Sequence, residues 1–305
     1  MSEERHLPNF LIVGTAKAGT TSLHSYLAQH PEVFMAQKKE PQFFACQEPN
    51  YSFAGPGDRG FLDAQVTRDW DSYVGLFDSV TDHPVRGEAS TWYLYEPTAP
   101  RLIKESLPGV KLLAVLRNPV DRAYSSFAHL RRDGREPLSD FEAALLEEPQ
   151  RVAAGWNPIW YYRELGFYAE QLARYSALFG ADRFRVYLFE DLKEDPLGLC
   201  QDVFEWLGVD PEFVPDVSER KNVASMPRIG FLHPGQSSLV QRGLRRVLPQ
   251  SVRSGLFRLV SPANLKRFPP IPNTVRATLG REYAGDVEAT ARLIDRDLSS
   301  WLDVD

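Results

Sequence analysis

Cysteine is scarce, with Cys46 and Cys200 the only two in 305 residues. Two cysteines allow at most one bridge, not a disulfide framework, and they suit a reducing compartment. No apolar run approaches the roughly 18 residues of a membrane-spanning helix. The first such run, Phe10–Val13, follows a charged start with Pro8 and is too short for the apolar part of a secretory signal. The reading is a cytoplasmic protein without a transmembrane segment. His24, His30 and His129 stand apart, with no spacing that would hold a metal, so they read as surface or helix-face residues and no metal is expected. Disorder is excluded too, because 43% of the chain is hydrophobic and 12% aromatic, ample for a core.

Acidic residues are missing from one long stretch. The whole chain carries −6, which argues against nucleic acid as a partner. Between Lys221 and Arg281 there is no Asp or Glu against eleven Lys and Arg, so that segment is +11 and the remainder −17 (−6 minus 11). Inside it, Leu239–Leu248 and Val252–Val260 interleave Arg242, Arg245, Arg246, Arg253 and Arg258 with apolar residues, the pattern of basic amphipathic helices. Two readings stay open. Residues 239–260 meet an acidic ligand or, peripherally, an anionic membrane surface, or these arginines pair with the acidic remainder across the fold.

Strand and helix patterns alternate over most of the length. Phe10–Val13, the segment near Val85–Gly87, Val110–Leu116 and Arg183–Phe189 read as strands. Helices are expected over Thr20–Gln29, from Pro119 to about Leu130, and over Glu164–Phe179, Leu197–Leu207 and Glu282–Trp301. Asn118-Pro119 supplies an N-cap and an N1 proline for the second of these. No linker divides the chain, so a single domain over 1–305 is expected. Alternation predicts an α/β protein with a central parallel sheet flanked by helices in three layers. Such sheets bind ligands at the carboxyl ends of their strands.

The loop after the first strand runs Gly14-Thr-Ala-Lys17-Ala18-Gly19-Thr20-Thr21-Ser22. Its glycines let backbone wrap an anion, and the helix start offers free N–H groups and a positive dipole end. The two glycines have the Walker spacing, but Thr20 stands where that motif places its lysine, and Lys17 lies inside the loop. Strand Val110–Leu116 runs into Arg117, where an ATP-hydrolysing protein commonly carries a magnesium-binding acid. Arg117 fits a phosphate directly, with Ser125 eight residues on, unless it is paired with Asp121, Glu88 or Glu190. Two anion cradles suggest a nucleotide with phosphates at both ends of its ribose. A P-loop nucleoside or sugar kinase using ATP and Mg²⁺, and a non-catalytic nucleotide- or glycan-binding module, are the alternatives.

These residues resemble the sulfotransferases that use 3′-phosphoadenosine 5′-phosphosulfate (PAPS). Gly14–Ser22 resembles their 5′-phosphosulfate loop, and Leu116-Arg-Asn-Pro-Val-Asp-Arg-Ala-Tyr-Ser125 their 3′-phosphate motif. Lys39-Glu40-Pro-Gln-Phe43-Phe44 is similar to an element of the heparan sulfate N- and 3-O-sulfotransferase-like branch and its bacterial relatives. The likeness runs from about Phe10 to Trp301 and is thinnest between Ile229 and Phe268. It implies a P-loop-like fold, PAPS as co-substrate, adenosine 3′,5′-bisphosphate (PAP) as product, and no metal. Lys17 would bind the phosphosulfate and stabilise the departing phosphate, with Ala18, Gly19, Thr20, Thr21 and Ser22 adding donors. Arg117 and Ser125 would grip the 3′-phosphate. Glu40, beside Lys38 and Lys39, would be the general base on a hydroxyl or amine acceptor, a carbohydrate or other small metabolite. Segment 221–281 would be an acceptor-binding or lid region. Two positions depart from the branch. Ala89 replaces a lysine in Gly87-Glu88-Ala89-Ser90-Thr91, and Ala45 follows the phenylalanine pair, where an acid is common. Both bear on the acceptor rather than on the donor.

Overall fold

A computed structural model describes residues 6–47, 51–218, 225–227 and 265–303. The two basic amphipathic stretches lie outside the described residues. Strand β1 (Phe10–Gly14) is buried along its whole length. Phe10 and Ile12 point into one apolar layer and Leu11 and Val13 into the other. A strand with no polar face is what a sheet covered on both sides demands.

The chain continues through α1 (Thr20–Leu27), β2 (Val33–Met35), α2 (Asp58–Gln65) and α3 (Trp70–Val74) to β3 (Val85–Ala89). Then come α4 (Ala99–Ser106), β4 (Lys111–Leu116), α5 (Pro119–Arg132), α6 (Phe141–Leu146), α7 (Glu148–Ala153) and α8 (Tyr168–Phe179). Strand β5 (Phe184–Leu188) leads to α9 (Phe189–Glu194) and α10 (Pro196–Leu207). Two short strands, β6 (Ser225–Pro227) and β7 (Leu265–Arg267), form a separate antiparallel ladder before α11 (Asn273–Ile294).

The main sheet has five strands in the order β2-β3-β1-β4-β5, and every neighbouring pair is parallel. Helices α1 and α10 cover one face, through Leu23, Leu27, Val203 and Phe204. Helices α4, α5, α8 and α11 cover the other, through Ile103, Phe127, Tyr175 and Tyr283. The three-layer parallel α/β arrangement expected from the alternation is therefore the fold. Strand order reverses at β1, so the carboxyl ends of β1 and β4 lie side by side and their loops open into one crevice.

Several boundaries differ from the sequence pattern. Asn118 caps α5 as expected, its side chain accepting from the N–H groups of Val120 and Asp121 at 3.0 and 3.3 Å. Helix α8 starts at Tyr168, after a 3-10 turn over Glu164–Gly166, rather than at Glu164. Its cap comes from far along the chain, because the Asp286 carboxylate on α11 accepts from the Tyr168 and Ala169 N–H groups at 2.7 and 3.1 Å. No local pattern could encode that. The closing helix begins at Asn273, not Glu282, and ends at Ile294, where Asp295 takes a left-handed φ of 51°. Trp301 sits in a final 3-10 turn instead. Cys46 and Cys200 are free, so no bridge joins them. Among the described residues no helix is long and apolar enough to cross a membrane.

Asp286 joins two helices through one carboxylate. Asp286→Ala should cost about 1 kcal/mol, the usual loss on removing a helix N-cap. Thermal unfolding should show the drop, with Asp286→Asn retaining most of the stability because its amide oxygen still accepts.

Candidate active site

The loop between β1 and α1 is shaped by two glycines. A Cβ on Gly14 would lie 2.6 Å from the Cβ of Leu94, so no side chain fits. Gly19 holds a φ of 85° at the helix entry, and a Cβ there would meet Leu192 at 2.7 Å. Ala18 is fully buried between them, and its N–H already donates to the Thr15 carbonyl at 3.3 Å. Ala18 thus shapes the loop rather than offering a donor. The Ser22 N–H is likewise turned back to the Gly19 carbonyl at 2.9 Å. Thr20 and Thr21 head α1 with the N–H groups that a helix start leaves without an intrahelical partner.

Lys17 adopts a left-handed φ of 73°, a conformation that costs a non-glycine residue about 1–3 kcal/mol and gathers at functional sites. Arg117, at the end of β4, holds that strained position by donating to the Lys17 carbonyl at 3.0 Å. Its guanidinium also lies over the Phe189 ring at 4.7 Å. Neither Glu88 nor Glu190 is its ion-pair partner among the described residues, and Asp121 is bridged to Arg276 at 2.6 Å. Burial lowers the Arg117 pKa from its ordinary value, yet a guanidinium stays charged.

Lys17, Gly19, Thr20, Thr21, Ser22, Glu40, Arg117 and Ser125 all line one cleft of about 730 Å³. A small-molecule site of this size is ordinary. Only Ala18 of the expected set does not line it. Burial pushes the Lys17 amine down to about 8. Arg132 and Arg117 press in the same direction, while Glu40 and Asp133 oppose them. Glu40 carries a left-handed φ of 60° and is bound by Lys39 at 2.9 Å.

Several residues of the cleft escaped the sequence pattern. His129 was expected on a surface or helix face, and it does lie on a helix face, but that face turns into the cleft. Asp121, Ser125 and His129 are spaced by four along α5, so they form one stripe, and that spacing was a usable signal. Burial first, and Lys17 second, push the His129 pKa down to about 3, so its ring is neutral at ordinary pH. Its Nδ1 lies 2.7 Å from an Arg132 N–H donor and therefore accepts, which leaves the proton on Nε2, 3.5 Å from Asp133. Arg135 and Asn157 converge on the buried Asp58, which accepts from Arg135 and, at 2.7 Å, from the Asn157 amide. The Trp92 and Phe61 rings meet at 5.2 Å between centroids, tilted by 35°, and supply an apolar wall. The chain brings these together from α2, the turn after β3 and the loop after α7, segments without a motif. Elsewhere, His24 and His30 bond backbone carbonyls at 3.2 and 3.0 Å.

Comparison with known proteins fits this geometry. A sulfotransferase from Alicyclobacillus acidocaldarius has a crystal structure that superposes with a TM-score of 0.78 at 36% identity, covering 98% of this chain and 100% of that one. Mouse heparan sulfate glucosamine 3-O-sulfotransferase 6 is 32% identical over 208 residues, 67% of this chain and 53% of its own length. Mouse bifunctional heparan sulfate N-deacetylase/N-sulfotransferase 3 is 26% identical over 97% of this chain but 31% of its own length. The chain thus spans 31% to 53% of the length of these curated relatives. The model of the Sulfotransferase family matches residues 8–213, a span that takes in the Lys17 loop, the Glu40 turn and the Arg117 strand end, and on that match the chain belongs to the sulfotransferase family.

Proposed function

We propose that this chain transfers a sulfuryl group from PAPS to a hydroxyl or amine on a carbohydrate or other small acceptor. The observation that carries this reading is the convergence of Lys17, Arg117, Ser125 and Glu40 on one cleft from three separate strand ends. A donor with phosphates at both ends of its ribose needs two cationic anchors, and this cleft has one in each of two loops. The residues suit it: Lys17 and the N–H groups heading α1 for the phosphosulfate, Arg117 and Ser125 for the 3′-phosphate. Heparan sulfate enzymes among the relatives favour a sugar acceptor.

In the reaction, an acceptor oxygen or nitrogen forms a bond to sulfur while the sulfur–oxygen bond to the nucleotide phosphate breaks. Glu40 takes the acceptor proton. Negative charge grows on the departing phosphate, and the Lys17 ammonium and the α1 dipole offset it without having to reorganise. Most of the rate comes from alignment and charge, as in phosphoryl transfer.

Adenosine 3′,5′-bisphosphate should raise the melting temperature in the absence of metal, and by more than ATP with Mg²⁺ does. No shift with the bisphosphate overturns the reading. Turnover is measured as PAP release from PAPS against a panel of a de-N-sulfated heparan oligosaccharide, a neutral hexosamine disaccharide and p-nitrophenol. Lys17→Ala should lower kcat about 10²–10³-fold, the usual loss of one donor to a developing anion. Glu40→Gln should lower it about 10²–10⁴-fold, the typical share of a general base, with affinity for the bisphosphate unchanged.

The Lys17 amine gives a pH test. With its pKa lowered to about 8, the charged form is lost as pH rises through about 8 in the free protein. Bisphosphate affinity should therefore fall above that pH, and binding near pH 8.5 should take up a proton. Calorimetry in buffers of different ionisation heat reads that uptake directly. In Lys17→Arg, which stays charged, both effects should vanish.

A further inference from the structure

Below the cleft lies a buried carboxylate that the proposed chemistry does not use. Glu88 is completely buried at the end of β3, next to Ala89. It accepts from the Ser90 hydroxyl at 2.8 Å and from the Tyr73 hydroxyl at 3.3 Å. Burial pushes its carboxyl up to about 7, and the hydroxyl donors around it offset part of that. A buried acid without a cationic partner is costly to keep, so its place needs a reason.

The reason is visible one step further on. Ser90, having given its proton to Glu88, accepts the Gln42 backbone N–H at 3.0 Å. The Gln42 side-chain oxygen accepts from the Trp92 N–H at 3.3 Å, and its amide nitrogen donates to a Glu40 oxygen at 3.4 Å. Glu40 is also pinned by its own N–H, which donates to the Ala89 carbonyl at 2.9 Å. Both Glu40 and Gln42 hold left-handed φ values, 60° and 51°. Neither is glycine, so this turn does not hold itself and must be held from outside. A hydroxyl has one proton to give. With Glu88 taking it, the Ser90 oxygen is left to accept, which is the orientation the Gln42 N–H requires.

We propose that Glu88 is a positioning residue for the reaction, fixing the Ser90 hydroxyl so that the strained turn of residues 40–42 presents the Glu40 carboxylate to the acceptor. The inference rests on the reading of Glu40 as base, and its test separates the two. Ser90→Ala removes the link and leaves Glu88 in place. Glu88→Gln keeps the shape but offers an N–H where the Ser90 proton should go.

Each variant should lower kcat about 100-fold, the scale of a misplaced catalytic group. The acceptor KM and bisphosphate affinity should stay within about twofold, and Glu88→Asp should recover part of the loss. Hydrogen exchange of the Gln42 amide should quicken in Ser90→Ala. In a Glu40→Gln background, Ser90→Ala should add less than about a twofold further loss, because the two act as one unit. Unchanged kcat in Ser90→Ala and Glu88→Gln, with Glu40→Gln inactive, overturns the positioning role and leaves the base standing. Full turnover by Glu40→Gln overturns the base. Parallel loss of bisphosphate affinity and kcat marks a merely structural network and also overturns the proposal. If Glu88→Gln does not fold, Ser90→Ala decides alone.

Discussion

The hydrogen bond from Arg117 to the Lys17 carbonyl is the contact on which the site depends. It joins the end of β4 to the loop after β1, the two strands that flank the switch in sheet order. Lys17 sits in a left-handed conformation that an L-residue adopts only when held there. Arg117 supplies the hold with one arm of its fork and lies over Phe189 with its plane, and it still lines the cleft. An arginine can do this because its planar fork presents several donors in fixed directions, whereas a lysine has one flexible ammonium. Two loops that look independent in the sequence are therefore joined directly.

Much of this was legible in the sequence wherever short-range chemistry sets the outcome. The apolar run of β1, the glycine loop and the Asn118-Pro119 entry to α5 each encode their own local geometry, and each stands as read. What the sequence hid was whatever depends on residues far apart. The start of α8 is set by Asp286, well over a hundred residues on. The neutral state of His129 follows from burial beside Lys17, not from its neighbours in sequence. Arg135 and Asn157 reach the cleft only because both bond the buried Asp58. A helical stripe through Asp121, Ser125 and His129 carried a signal, but nothing in the pattern says which side of α5 meets the ligand.

The departures from the heparan-type branch also acquire a physical sense. Ala89 is fully buried, and its carbonyl takes the Glu40 N–H. The backbone there secures the turn that carries the carboxylate, whatever the side chain. An alanine at this position leaves the backbone bond to Glu40 in place. On the described part of that side, Arg135 is committed to Asp58, and Trp92 and Phe61 give an apolar wall.

Charge then organises the site at two depths. In the cleft, burial first and the Arg132 and Arg117 cations after it make Lys17 give up its proton more readily than a free lysine. A polyanion bound beside it would oppose that pressure and hold the amine in its charged form to higher pH. Underneath, Glu88 is a buried acid satisfied by hydroxyls instead of by a cation. Placing a lysine or arginine beside it would have stabilised the carboxylate more simply. The hydroxyl-only arrangement leaves the Ser90 oxygen to accept the Gln42 N–H, and that bond holds the turn on which the proposed role of Glu40 rests.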